Sequence, residues 1–585
     1  MPRHSSVVGV VGLGSVGGPL LTLLHTAGYE VIGVDQHPDV LARVERRMRA
    51  RTAIGAGRSG GYTLTNDTVA LVRADVVVEA VPDDLAVKTE VLRRLHAVCL
   101  DRTVLVGTSA SLSLPHLAIA SGRPARTLGL RMLRPPAPGA AVEPLSTAMS
   151  SDDAVAALDD LLDGLGLAAA PIGARPGAAA TAMLYAYLNR AVRVLEQGYA
   201  GQEAVDTAMR LGCGLAEGPL QLLDEIGLDT VRAGLAGLLA RTGEEAYRPA
   251  ALLESMARSG LLGRKTGRGF YVYDELGRPL GSPAPPTDAP AASDGIRRVG
   301  VLGSGTMARG IAEAVAVAGF RTVLVARGTA QADAAREAVE ASLTASVRRG
   351  RIDPRQKRTA LGLLDTGDRQ AELAECDLVI EATAEDFALK RRLFATLGGL
   401  CRPGALLATT TSSLSVAACA EAAGRPEDVL GLHFFNPAPV MRLVELVTTA
   451  RTGAPAAATA RVFCERLGKT VVPCADRAGF IVNHLLFPYL TDAVRLLDGR
   501  DAHDADIERI DAAVARGLGH PMGPFALLDT IGLDVSLAIL RRLDEEFPDG
   551  SYAPPLLLEQ LVARGCLGRK SGQGFHRTPA PARLA

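Results

Sequence analysis

The sequence predicts an α/β domain followed by an all-helical domain, with the pair occurring twice in tandem. Three observations carry this. Long segments recur in the same order: "VVGLGSVGGPL" at 10–20 returns as "VLGSGTMARGI" at 301–311, and "VVVEAVPDDLAVKTEVLRRL" at 76–95 as "LVIEATAEDFALKRRLFATL" at 378–397. "GPLQLLDEIGLD" at 218–229 returns as "GPFALLDTIGLD" at 523–534, and "GRKTGRGF" at 263–270 as "GRKSGQGF" at 568–575. Within each copy, short apolar runs alternate at first with helical patterns, which argues an open, largely parallel sheet with helices on both faces. After about residue 476 the apolar spacing becomes helical throughout.

Each copy opens with a strand, a glycine turn and a helix. Val7 to Val11, then Gly12, Gly14 and Gly17, lead into "PLLTLLHTAG" and a second strand ending at Asp35. In the second copy Val299 to Leu302, then Gly303, Gly305 and Ala308, lead into "RGIAEAVAVAG" and the strand "RTVLVA". This is the dinucleotide-binding turn of a Rossmann-type domain. The first glycine permits the bend, the second lets backbone approach a pyrophosphate, and the third small residue lets helix pack on strand. At the end of the second strand an acid holds the adenosine ribose, whereas an arginine accommodates a 2′-phosphate. The first copy has Asp35 there and the second has Ala326-Arg327, so the expected cofactor is NAD or NADP, with NADP(H) accepted at Arg327.

Further strands are expected in the second copy at 377–382, 405–409, 429–435, 442–447 and 470–474. The stretch "GLHFFNPAPVMRLVE" at 431–445 reads as strand, turn, strand, folded back at Asn436-Pro437-Ala438-Pro439. That fold-back brings His433 to Glu445, an imidazole backed by a carboxylate, which fixes the tautomer and suits base catalysis. In "GFIVNHLLFPYLTDAVRLL", Phe480, Leu485, Tyr489, Leu490, Val494 and Leu497 fall near one helical stripe. The expected boundaries are nucleotide domains at 1–172 and 296–475, helical domains at 173–276 and 476–577, and a tail at 578–585. Between the copies, Gly277 to Gly295 is rich in proline, alanine and serine and is expected to be an extended linker.

Bulk properties exclude several classes. A chain of 585 residues is too long for one core, and 48% hydrophobic content is ample for folded ones. A net charge of -1 gives no pull toward nucleic acid or an anionic membrane, and the basic run "ERRMRAR" at 45–51 reads as a solvated helix face. The eight cysteines form no C-x-x-C pair, so neither a metal site nor a disulfide framework is expected, and a cytoplasmic, reducing setting fits. With no cleavage-site pattern and no run of 18 apolar residues, no membrane partner is expected.

With "TTTSSLSV" at 409–416, the 431–445 stretch, "DRAGFIVNHLL" at 476–486 and "GRKSGQGF" at 568–575 in view, the second copy closely resembles the (3S)-3-hydroxyacyl-CoA dehydrogenase family. The resemblance covers essentially all of 297–577 and implies hydride transfer between a 3-hydroxyacyl-CoA and NAD(P), a step of fatty acid metabolism. It implies that His433 is the base and Glu445 its orienting group, with Ser412 and Asn483 at the substrate oxygens. It also implies that Glu385, Lys390, Ser412, Asn436 and Lys570 contact the cofactor, and that Ser342 and Arg349 contact coenzyme A, the latter in place of a usual lysine.

The first copy departs from the pattern where chemistry matters. Arg131 stands in the place of His433, Ala110 in that of Ser412 and Thr181 in that of Asn483, while Glu143 matches Glu445. An arginine is no base near neutral pH. The first copy is therefore expected to have kept its cofactor turn while losing the reaction, and to serve as partner surface in an intramolecular pseudo-dimer, with further homo-oligomerisation possible. Two other functions remain open at this point: a dehydrogenase of another 3-hydroxy acid, such as a sugar acid or carnitine, and a non-catalytic nucleotide-binding protein.

Overall fold

The computed structural model describes residues 6–577 other than 54–59, 110–111, 170–179, 276, 281–294, 498–503 and 549. In the first copy the strands are β1 (Val7–Val11), β2 (Glu30–Val34), β3 (Tyr62–Thr65), β4 (Val76–Glu79), β5 (Val104–Gly107), β6 (Thr127–Met132), β7 (Ala141–Leu145) and β8 (Ala168–Ala169). They form one sheet in the order β3-β2-β1-β4-β5-β6-β7-β8. A short antiparallel hairpin of β9 (Val272–Tyr273) and β10 (Pro279–Leu280) follows the first helical domain. The second copy has β11 (Arg298–Leu302), β12 (Arg321–Val325), β13 (Leu364–Gly367), β14 (Leu378–Glu381), β15 (Leu406–Thr409), β16 (Val429–Phe434), β17 (Leu443–Thr448) and β18 (Thr470–Ala475). Its order is β13-β12-β11-β14-β15-β16-β17-β18, the same as in the first copy.

Neighbours run parallel in both sheets except β6 with β7 and β16 with β17. The central strands β14, β15 and β16 are buried along their whole length, as a sheet covered on both faces requires. Strand order reverses between β1 and β4 and between β11 and β14, which opens a crevice at the carboxyl ends of those strands. Between β12 and β13 the second copy carries two helices, Thr329–Arg348 and Pro354–Leu363, where the described residues of the first copy hold only Pro38–Ala53.

Two expectations are corrected. The segment from Gly277 is not wholly linker, because Pro279 and Leu280 pair with Tyr273 and Val272 and close a hairpin on the first helical domain. The helix Val482–Arg495 has no single apolar stripe: every side chain from Val482 to Leu490 is buried, on all sides of the helix. The reason is tertiary. One apolar cluster takes in both helical domains, joining Leu188, Val205 and Leu223 of the first to Leu485, Leu490 and Leu528 of the second, so this helix is sandwiched and not surface-lying. Each nucleotide domain keeps its own core on the two faces of its sheet.

Candidate active site

The site grows from the antiparallel pair at the edge of the second sheet. Register places His433 directly across from Glu445, and the imidazole Nδ1 lies 2.6 Å from the Glu445 Oε2. The other carboxylate oxygen accepts hydrogen bonds from the backbone N–H groups of Ile481 (3.0 Å) and Val482 (2.9 Å), where the helix carrying Asn483 begins. Glu445 is fully buried and His433 nearly so. A carboxylate held by two backbone donors stays fixed and aims one oxygen at Nδ1, which leaves Nε2 as the imidazole nitrogen open to chemistry.

Aromatic rings hold the imidazole from its sides. Phe435 lies 4.6 Å and Phe480 5.4 Å from it, centroid to centroid. Phe480 is buried with φ of 47°, a left-handed conformation that costs a bulky residue about 1–2 kcal/mol. Packing against His433 over-determines that strained backbone. The sequence offered one signal for these rings, the doubled phenylalanine after His433, and none for the strain.

The glycine turn lies at the crevice. Gly303 has φ of 133°, and a Cβ there would lie 2.4 Å from the Ala382 carbonyl oxygen, so only glycine fits. A Cβ at Gly305 would meet nothing within 4 Å, which leaves open space before the N-terminus of the helix Thr306–Val317, as close approach of a pyrophosphate requires. Ala308 is buried beneath the turn. Arg327 is exposed just past β12. Ser342 and Arg349 lie seven residues apart at the exposed C-terminal end of the helix Thr329–Arg348, and Ser342 bonds the Glu313 carboxylate on the helix that follows the glycine turn. Asn436 is exposed in the turn after His433.

Glu385 organises the loop after β15. Its Oε1 accepts from the Thr411 hydroxyl (2.5 Å) and from the Ser412 backbone N–H (3.0 Å), which places Ser412 near the carboxyl end of the strand neighbouring β16. Two residues expected at the cofactor make ion pairs within the protein. The Lys390 ammonium is only 1% exposed and bonds both oxygens of the buried Glu381, at 3.0 and 2.9 Å. It also lies 3.4 Å from the exposed Glu385 carboxylate, and Lys88 pairs in the same way with Glu79 in the first copy. Lys570, nearly half exposed, is paired with Asp534 beside Gly532, as Lys265 is with Asp229 beside Gly227.

In the first copy, Arg131 and Glu143 repeat the register of His433 and Glu445 and form an ion pair at 2.8 Å. The cofactor turn is well formed there. Gly12 has φ of 84°, a Cβ at Gly17 would fall 1.8 Å from the Gly12 carbonyl oxygen, and Gly14 is open. Asp35 is held by the backbone N–H groups of Leu13 (2.8 Å) and His37 (2.9 Å). Thr181 is buried, and Ala110 lies outside the described residues. Among the described residues, no His, Cys, Asp and Glu cluster could hold a metal ion, and no helix is long and apolar enough to cross a membrane.

Two dinucleotide-binding sheets, each leading into a helical domain, with a carboxylate-backed histidine beside one crevice, define an NAD-dependent oxidoreductase acting on CH–OH groups. Comparison makes the family specific. The family model described as 3-hydroxyacyl-CoA dehydrogenase, NAD binding domain, matches residues 7–172 and 298–477, and that of the 3-hydroxyacyl-CoA dehydrogenase C-terminal domain matches 177–273 and 479–578. The chain belongs to the 3-hydroxyacyl-CoA dehydrogenase family, with the whole unit present twice. It is 46% identical over 286 residues to a 3-hydroxybutyryl-CoA dehydrogenase of Mycobacterium tuberculosis, a match spanning 48% of this chain and 99% of that protein. It is 41% identical over 286 residues to a 3-hydroxyadipyl-CoA dehydrogenase of Escherichia coli, spanning 48% of this chain and 59% of that one. The crystal structure of 3-hydroxybutyryl-CoA dehydrogenase from Escherichia coli shares the fold over 96% of this chain and 99% of its own, with a TM-score of 0.59 at 20% identity.

Proposed function

We propose that the protein oxidises (3S)-3-hydroxyacyl-CoA to 3-oxoacyl-CoA, or runs the reverse reaction, and that the second copy carries all the chemistry. The observation that carries this reading is the His433–Glu445 pair at 2.6 Å, set against Arg131–Glu143 at the same register of the first copy. When bound, NAD supplies the acceptor for the hydride that leaves C3. His433 takes the 3-hydroxyl proton at Nε2, and Glu445 holds the Nδ1 proton and stabilises the imidazolium that forms. Ser412 and Asn483 orient the substrate oxygens, so that the hydride donor and acceptor meet without a search through orientations. Ser342 and Arg349 offer a hydroxyl and a guanidinium to coenzyme A phosphates. Gly303, Gly305, Ala308, Arg327, Glu385 and Asn436 surround the cofactor, Glu385 by fixing the Ser412 loop. In the first copy, Gly12, Gly14, Gly17 and Asp35 form a dinucleotide site without a base.

The domain boundaries that fit this reading are 1–172 and 296–475 for the nucleotide domains and 173–280 and 476–577 for the helical ones. The two copies form an intramolecular pseudo-dimer, supported by the apolar cluster that runs through both helical domains. The eight free cysteines support a reducing, cytoplasmic setting. The test is oxidation of NADH and NADPH by the full chain with acetoacetyl-CoA as acceptor. Turnover that disappears in His433→Ala is the expected result, and turnover that persists there removes the base assignment.

A further inference from the structure

The seam between the helical domains contains positions that face their own counterparts. "YLNRAVRVL" at 187–195 and "YLTDAVRLL" at 489–497 occupy equivalent turns of the helices Ala180–Glu196 and Val482–Arg495, and these helices pack on each other. Tyr187 lies against Tyr489, ring centroids 5.2 Å apart. One turn further on, the Arg190 guanidinium donates to the Asp492 carboxylate at 2.8 Å, and the two positions are 302 residues apart, the same spacing as the tyrosines. A residue that touches its own equivalent lies on the twofold axis of an isologous pairing.

At such a position a true homodimer can place only like against like. Paired with itself, the first copy would set Arg190 against Arg190, and the second would set Asp492 against Asp492. Both side chains are largely buried, 12% and 17% exposed, so a like-charge encounter there would find little solvent to screen it. Arg495 donates to the second Asp492 oxygen at 3.1 Å and to the Ala553 carbonyl at 2.9 Å, so it offsets part of the Asp492 charge from within its own half. The tyrosines have stayed alike at their axial position while the neighbouring position has taken opposite charges.

We propose that this divergence is a pairing lock: Arg190 and Asp492 make each half of the chain accept the other half and reject a second copy of itself. Such a lock resolves a hazard of duplication, since two halves with the same ancestral surface could otherwise pair like with like between chains and polymerise. It rests on the pseudo-dimer reading, and the following test separates the two.

A specific protease site is inserted within residues 281–294 of the full chain, and after cleavage the fragments are followed by native mass spectrometry and light scattering. The expected result is a one-to-one complex of first and second fragments, with the mass of one chain, 60.9 kDa apart from the insert. In Arg190→Leu/Asp492→Leu, an apolar pair preserves stability but removes the charge rule, so remixed fragments re-sort into second-with-second pairs. Asp492→Arg should release the fragments and lower the melting temperature by about 5 °C or more, and Arg190→Asp/Asp492→Arg should restore both. Wild-type second fragments that pair with themselves, a Leu/Leu chain that never re-sorts, or a double reversal no better than the single one would each overturn the lock. Fragments that run singly in the wild type would overturn the pseudo-dimer reading itself.

Discussion

On the proposed reading, the base is the side chain that most separates the two copies. His433 and Arg131 occupy the same register opposite Glu445 and Glu143, yet only the imidazole can take a proton near neutral pH. His433→Ala should lower kcat by roughly 100- to 10,000-fold, the contribution of a positioned base, while Arg131→Ala leaves the chemical step nearly unchanged; steady-state kinetics with acetoacetyl-CoA check both. Arg327 is the corresponding decision for the cofactor. It is exposed beyond β12, and Ala326 supplies no carboxylate where the first copy has Asp35. NADPH is expected to be accepted, and Arg327→Ala should lower kcat/KM for NADPH by roughly tenfold, about 1.4 kcal/mol of lost phosphate contact, with NADH little affected. Lys390 shows what burial adds to a residue in a legible motif, since the buried Glu381 requires a cation and Lys390 supplies it.

Each helical domain is held by carboxylates that cap helices and turns from a distance. Asp206 accepts from the backbone N–H groups of Leu220 and Gln221 at the start of the helix Pro219–Ile226 and from the Tyr271 hydroxyl, and Asp511 repeats the two backbone contacts at Phe525 and Ala526. Burial pushes the Asp206 carboxyl up to about 6, against 3.8 ordinarily, although its donors pull the other way. The folded state therefore holds a proton that the unfolded chain releases, and the contribution of Asp206 to stability falls as pH rises from about 4 to 6. A displacement of that size corresponds to about 3 kcal/mol, so Asp206→Asn should flatten the stability curve by up to that amount in this window; urea unfolding at pH 4 to 7 checks it. The strand–turn–strand element at 431–445 was legible because a turn-rich stretch separates two apolar runs. The hairpin closed by Pro279 and Leu280 was not, because composition marks chain that cannot build a core but says nothing of an edge it can pair with.

At the scale of the molecule, the first copy packs against the His433–Glu445 strand pair of the second. Gly212, on the helix Gln202–Cys213, packs so closely that a Cβ there would lie 2.9 Å from Val482, 3.0 Å from Leu443 and 3.4 Å from Phe435. Phe435 flanks His433, and the Val482 N–H holds Glu445. The Tyr199 hydroxyl donates to the Ala475 carbonyl at 3.0 Å, which fastens the same helical domain to the end of β18. Gly212→Val should displace the catalytic strand pair and lower kcat by roughly tenfold to a hundredfold, with a smaller change in KM, although it lies in the copy that has no base; comparing both constants at unchanged melting temperature checks this.

The sequence by itself determined the duplication, the sheet-then-helices plan of each copy, the two glycine turns, the His433–Glu445 apposition and its loss at Arg131. These are local: period, turn chemistry and strand register act over a few residues, and a repeat exposes them twice. Only the tertiary structure decided that Lys390 and Lys570 pair with Glu381 and Asp534, that Phe480 is strained against the histidine, and that the helix Val482–Arg495 is buried all round. It alone set Arg190 against Asp492 and Gly212 against Phe435. Those facts join residues distant in the chain, up to 302 positions apart, and no spacing along a sequence encodes which buried faces will meet once two cores merge into one.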